Sequence, residues 1–150
     1  IDVERHEKPF VMVDFVLSFE DELAPQTAVW VEGPEGDYVA TLYVSGFAGK
    51  VKEVQVTLPR WARGSGFEGI DAVTGPSINT GHHIYTWDLT DHEGDRVADG
   101  TYTVKVETLF WPSMKYQIVG SSIDTSGRDQ RVVAEEGDLI PRLELRYYGE

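Results

Sequence analysis

The chain is 150 residues long, carries 26 acidic against 13 basic side chains for a formal charge of -13, and contains no cysteine. That length suits one domain around one core. The acidity excludes a nucleic-acid or anionic-membrane binder, which needs a basic face to displace counterions, and the lack of thiols excludes disulfides, thiolate nucleophiles and Cys-based zinc, haem or iron–sulfur sites.

Hydrophobic residues make up 41% of the chain and aromatic ones 11%, enough bulky apolar material for two facing sheets. No run approaches the roughly 18–20 apolar residues of a membrane span. The start at Ile1 without Met leads to the expectation of a mature exported domain, periplasmic or secreted, whose leader has been removed.

Period-two alternation dominates the chain. Val11, Val13, Phe15, Leu17 and Phe19 share one parity while Asp14, Ser18 and Glu20 take the other, so a strand is predicted from Phe10 to Phe19. Strands at Ala28–Glu32 and Tyr38–Ser45 flank Gly33-Pro34-Glu35-Gly36, a turn sequence that predicts a hairpin. A short strand is expected near Val54-Gln55-Val56. From Pro59 to Thr80 the alternation lapses and Gly64, Gly66, Gly69, Gly75 and Gly81 accumulate, which predicts one long loop, with or without a helical turn near Arg60-Trp61-Ala62-Arg63.

Alternation returns at His83, Tyr85 and Trp87 and, beyond a polar connection, at Tyr102, Val104 and Val106 against Thr101, Thr103, Lys105 and Glu107, and together these predict a hairpin. Tyr116 and Ile118 mark another strand and Thr125-Ser126-Gly127-Arg128 a turn. Ile140, Leu143, Leu145 and Tyr147, against Arg142, Glu144 and Arg146, mark a closing strand. About eight or nine short strands without a helical stretch predict an all-β antiparallel sandwich, like immunoglobulin or fibronectin-III domains, with a barrel as the alternative. No repeat, low-complexity tract or linker breaks the chain, so residues 1–150 are expected to form a single domain.

The densest polar stretch is Trp87 to Tyr102. Calcium needs roughly six to eight converging oxygens, and the spacing here lacks the EF-hand order, so Asp88, Asp91, Glu93 and Asp95 are weak metal candidates and no metal is expected. The stronger expectation is structural: Asp88 and Asp91 cap loop amides, Gly94 and Gly100 adopt positive φ, and Trp87 and Tyr102 pack in the core. His82 and His83, adjacent on a strand, point to opposite faces and serve one metal poorly. His92 with Asp91 or Glu93 would make a composite copper or zinc site, and ordinary exposed histidines are the alternative. No Gly-x-Ser-x-Gly elbow, His-Glu-x-x-His helix or nucleotide-binding glycine loop is present, and the chain is not expected to be an enzyme.

The Trp87–Tyr102 run resembles the terminal hairpin of immunoglobulin-like domains in flagellar hook-capping proteins, W-D-G-x-D-x-x-G followed by G-x-Y, with Leu89 in place of the glycine. This resemblance implies fold more than function. Ala28–Glu32, Thr41–Ser45, Leu58-Pro59-Arg60-Trp61, Asp71-Ala72-Val73-Thr74-Gly75 and the Trp87–Tyr102 run, taken in order, are similar to a bacterial extracytoplasmic domain-of-unknown-function family. Its members are found alongside flavin transferases and membrane redox proteins. Asp71 to Ser77 resembles the acceptor motif D-x-x-[ST]-G-A-[TS] of covalently flavinylated proteins, whose last hydroxyl is esterified to FMN phosphate. The resemblance implies Ser77 as the attachment site, Asp71 and Thr74 in recognition, and Gly75 for close backbone approach. Pro76 departs from the motif's Ala and removes an amide donor.

The leading expectation is a non-catalytic exported docking module that needs no cofactor, an accessory subunit of an extracytoplasmic redox or cell-surface assembly. Its partner would be another extracytoplasmic or membrane-anchored protein, met by Trp61, Arg63 and Phe67 of the long loop and by exposed edge strands. A covalent FMN carrier modified at Ser77 is the first alternative. A structural subunit of a filament or surface layer, assembling through edge strands, is the second.

Overall fold

The computed structural model describes residues 6–18, 23–45, 60–61, 74–75, 81–111, 113–135 and 137–149. Among the described residues nine strands follow one another: β1 (Phe10–Leu17), β2 (Leu23–Glu32), β3 (Tyr38–Ser45), β4 (Thr74–Gly75), β5 (Gly81–Trp87), β6 (Thr101–Trp111), β7 (Lys115–Asp124), β8 (Gln130–Ala134) and β9 (Arg142–Tyr148). They form two sheets, one ordered β5-β1-β9-β8 and the other β4-β3-β2-β6-β7. Every pairing is antiparallel except that of the two-residue β4 with β3. The expected sandwich is therefore present, and the barrel is set aside.

Between the sheets lies the core that the alternation marks. Val11, Val13, Phe15 and Leu17 of β1 are fully buried and meet Val29, Val31, Val104, Val106, Leu143 and Leu145 in one cluster. Their opposite parity, Met12, Asp14 and Val16, faces outward on the four-stranded sheet. The β2–β3 hairpin turns where expected: Gly36 donates its N–H to the Gly33 carbonyl at 3.0 Å and takes φ of 83°, a conformation that glycine adopts without a Cβ clash.

The second predicted hairpin does not exist. β5 pairs with β1, whereas β6 pairs with β2 and β7, so Asp88–Gly100 is a crossover from one sheet to the other. Two strands of matching alternation satisfy the same pattern whether they pair in one sheet or face each other across a core, and alternation alone does not separate these cases. The crossover is pinned by Trp87 Nε1 donating to the Thr90 carbonyl at 2.8 Å and by His92 N–H donating to Val39 O at 2.8 Å. Tyr102 OH donates to Ala98 O, the tyrosine-corner arrangement of sandwich folds, and its ring meets Trp87 edge-on at 5.1 Å. Trp87 and Tyr102 thus pack in the core as expected.

Leu89, where the resembling motif has glycine, takes φ of 65° and is 1% exposed. A leucine in the left-handed region costs about 1–3 kcal/mol, and burying its side chain returns about 1.5–3 kcal/mol. The substitution is balanced by the core. Gly94 has the expected positive φ of 87°; Gly100 does not, and exchanges bonds with Thr125 in ordinary backbone conformation.

Other boundaries shift. β2 begins at Leu23 and β6 runs to Trp111, longer than their alternating cores suggest, and β8 was not expected. Ile140 is buried ahead of β9 rather than within it. Phe19 and the expected strand at Val54–Val56 lie outside the described residues. Among the described residues, no helix is long and apolar enough to cross a membrane.

Candidate functional site: the segment anchored on the five-stranded sheet

Glu107 points away from the inter-sheet core, since Val104 and Val106 take the inward positions of β6, yet it is fully buried. A carboxylate hidden from water costs several kcal/mol unless donors replace its hydration. Three donors do so. Glu107 Oε1 accepts the Trp61 N–H at 2.8 Å, while Oε2 accepts the Arg60 N–H at 3.0 Å and the Tyr116 hydroxyl. Burial first, and then this bond to Glu107, push the Tyr116 phenol above its ordinary range. Arg60 and Trp61 have helical backbone conformation, as the sequence allows, and the carboxylate takes both of their amides.

The Trp61 indole is fully buried and donates Nε1–H to Thr41 Oγ1 at 3.0 Å. Thr41 is on β3 and Glu107 on β6, and β2 lies between them, so Trp61 spans the outer face of β2. Ala28, Trp30 and Val44 beneath it are fully buried outward-facing residues, an apolar surface that a solvated sheet face would not carry. Trp61, expected as a partner-contacting residue, has no exposed surface here, and its indole holds the segment to the sheet. Of its fellow candidates, Arg63 and Phe67 lie outside the described residues.

The same segment touches the sheet again at Thr74 and Gly75, which form β4 and pair in parallel with Val44 and Ser45 at the edge of β3. The centre of the flavin-acceptor-like motif is therefore strand rather than loop. Asp71 and Ser77, its remaining candidates, lie outside the described residues.

Asp88 and Asp91 cap loop donors as expected. Asp88 Oδ1 accepts Thr90 Oγ1–H at 2.5 Å, and Asp91 Oδ1 accepts the amides of Glu93 and Asp95 at 2.9 and 3.0 Å. Among the described residues no three His, Asp or Glu side chains gather in a metal-holding group. His82 and His83 do point to opposite faces: His82 Nε2 lies 2.6 Å from Asp14 Oδ1 on the outside, and the His83 ring packs 5.6 Å from Phe15. His92 packs on Tyr38 at 5.4 Å, and His6 on Phe10 at 4.3 Å.

The outer face of the four-stranded sheet carries a second buried carboxylate. Glu144, 2% exposed, receives Arg131 Nε at 2.8 Å, Arg142 Nη2 at 2.5 Å and Arg146 Nε at 2.9 Å. Burial alone would raise its carboxyl, but the Arg131 hydrogen bond and the Arg142 and Arg146 charges outweigh burial and hold it below the usual glutamate range. Arg142 also reaches Asp14 at 3.4 Å. Sequence reading takes both Glu107 and Glu144 for solvated positions of alternating strands. The one available signal for Glu107 was its neighbourhood, a carboxylate directly before Thr108-Leu109-Phe110.

Residues 10–138 match the family described as "Predicted periplasmic protein (DUF2271)". No curated protein and no solved structure matches the chain. The matched stretch runs from the first residue of β1 past the end of β8 and takes in the anchored segment, and the chain belongs to this family of predicted periplasmic proteins.

Proposed function

We propose that the chain is a non-catalytic docking module of the periplasm, immunoglobulin-like in topology, which presents the segment between β3 and β5 to another extracytoplasmic or membrane-anchored protein. The topology supports the comparison: β2, β3, β6 and β7 occupy the C, C′, F and G places, β1 and β5 those of B and E, and the C-terminal β9 stands where strand A would lie. The observation that carries the docking role is the double anchor. A buried carboxylate, an indole and an added strand all hold one segment against one sheet, the way a rigid scaffold positions a recognition loop.

Crosslinking in the native periplasm tests this reading. Replacing Gly64 to Val73 by Gly-Ser repeats of equal length, which keeps the span between the two anchors, is expected to abolish the crosslinked partner while the fold persists. An unchanged partner set sinks the proposal.

A second reading, a covalent FMN carrier, draws support from the strand pairing of Thr74 and Gly75, which holds the middle of the acceptor-like motif two residues before Ser77. Coexpression with a flavin transferase is then expected to add one FMN phosphate unit to the intact mass, and Ser77→Ala to prevent it. A chain of unmodified mass refutes that reading and leaves the docking role standing.

A further inference from the structure

We propose that the outer face of the four-stranded sheet is a second docking surface, one that takes a short, extended, carboxylate-rich segment of a protein partner. Among the described residues, the outward positions of its strands carry Arg131, Arg142, Arg146 and His82 against Asp14 and Glu144 only. Within a chain of net charge -13, these outward positions carry three arginines against two carboxylates. Arg131 and Arg146 stand directly opposite each other on β8 and β9. Like charges in cross-strand register oppose sheet formation, and Glu144 beneath them offsets only part of that.

Neither guanidinium is used up. Arg131 gives Nε and Nη2 to Glu144, Arg146 gives Nε to Glu144 and also bonds Tyr148, and their side chains remain 55% and 41% exposed. They line a cleft of about 200 Å³ with Asp129, Gln130, Tyr147 and Tyr148. Asp129, the one carboxylate there, is turned to the Gly149 amide at 2.7 Å. A planar fork of N–H donors fits a carboxylate in two-point fashion, whereas Arg131 closes its Nε and Nη2 on the single oxygen Oε1 of Glu144.

Electrostatics limits the ligand's length. Screening over about 8 Å at physiological salt lets a short segment feel the arginines alone, whereas a nucleic acid or vesicle also meets the acidic remainder of the chain. Arg142 and Arg146 are four residues apart on β9, about 13 Å at strand rise. The fitting segment is extended, with acidic residues at alternate positions so that those four apart meet the two arginines.

The test is fluorescence anisotropy of a labelled Glu-Ser-Glu-Ser-Glu peptide with the whole chain, beside the corresponding Gln peptide. The Glu peptide is expected to bind at physiological ionic strength and to weaken by about tenfold or more in about 1 M salt, and the Gln peptide not to bind. Arg131→Gln with Arg146→Gln is expected to weaken binding at least about tenfold, and the two Lys replacements to weaken it less. If the double Gln variant fails to fold by circular dichroism, Arg131→Gln alone, on an edge strand, gives the same readout. Absence of Glu-peptide binding, binding indifferent to Arg131, or displacement by inorganic phosphate at equal concentration overturns the proposal.

Discussion

Each sheet buries an outward glutamate, Glu107 on one and Glu144 on the other, and satisfies it by opposite means. On the five-stranded sheet, Glu107 is covered by another part of the chain and receives only N–H and O–H donors from neutral groups. On the four-stranded sheet, Glu144 is covered by three arginines of its own and the adjacent strand. The first arrangement stitches a distant segment to the sheet, while the second makes a charged surface that stays open. Neutral donors around a carboxylate give positional specificity, and guanidiniums around one leave donors over for a ligand.

The sharpest way to break the contrast is Trp61→Ala. Removing a fully buried indole from the covered face is expected to cost about 3–5 kcal/mol in urea denaturation. A loss below about 1 kcal/mol would mean that the segment is not part of the cooperative fold.

Glu144→Gln comes next, at about 1.5–3 kcal/mol at pH 7, since charge-assisted bonds become neutral ones. The folded-state pKa of Glu144 is depressed, so its charge contributes stability above the unfolded value of 4.5. That contribution is lost as pH falls through the folded value. The gap between wild type and Glu144→Gln is therefore expected to be full at pH 7 and to close as pH falls from 4.5 through the lower folded value. A gap independent of pH would show that Glu144 packs rather than pairs.

Thr41→Val, nearly isosteric, removes the hydroxyl that accepts the Trp61 indole N–H at 3.0 Å and bonds the Tyr38 hydroxyl at 2.7 Å. An expected loss of about 1–2 kcal/mol by thermal denaturation sharpens the account of the covered face. Smallest is Arg131→Gln, expected to cost under about 1 kcal/mol because the side chain is largely exposed and Glu144 keeps two other arginines. Its stability effect and its binding effect should then be separable.

Alternation made the sandwich legible, because Val11, Val13, Phe15 and Leu17 read the same way in sequence and in section. It could not reveal that β5 and β6 belong to different sheets, since residues facing each other across a core alternate just as paired ones do. Nor could it reveal Glu107 or Glu144. Period two says which residues leave the core, not what awaits them outside, and the cover over Glu107 comes from a residue whose neighbours obey no period. Leu89 was visible as a departure from a glycine pattern, and its left-handed φ gives the reason the pattern favours glycine there. Of the flavin-acceptor-like residues, Thr74 and Gly75 were read as loop because two residues are too few to alternate.

The place of β9 bears on how the molecule comes to exist at all. Phe10 lies opposite Tyr148, and β9 sits between β1 and β8 in the interior of its sheet rather than at an edge. A nascent chain lacking Arg142–Tyr148 has neither inner neighbour for β1 nor a partner for β8, so the four-stranded sheet cannot assemble while synthesis or passage through a translocation pore is incomplete. Such wiring leaves β1 with β5 alone and β8 unpaired until β9 arrives, so this sheet closes late.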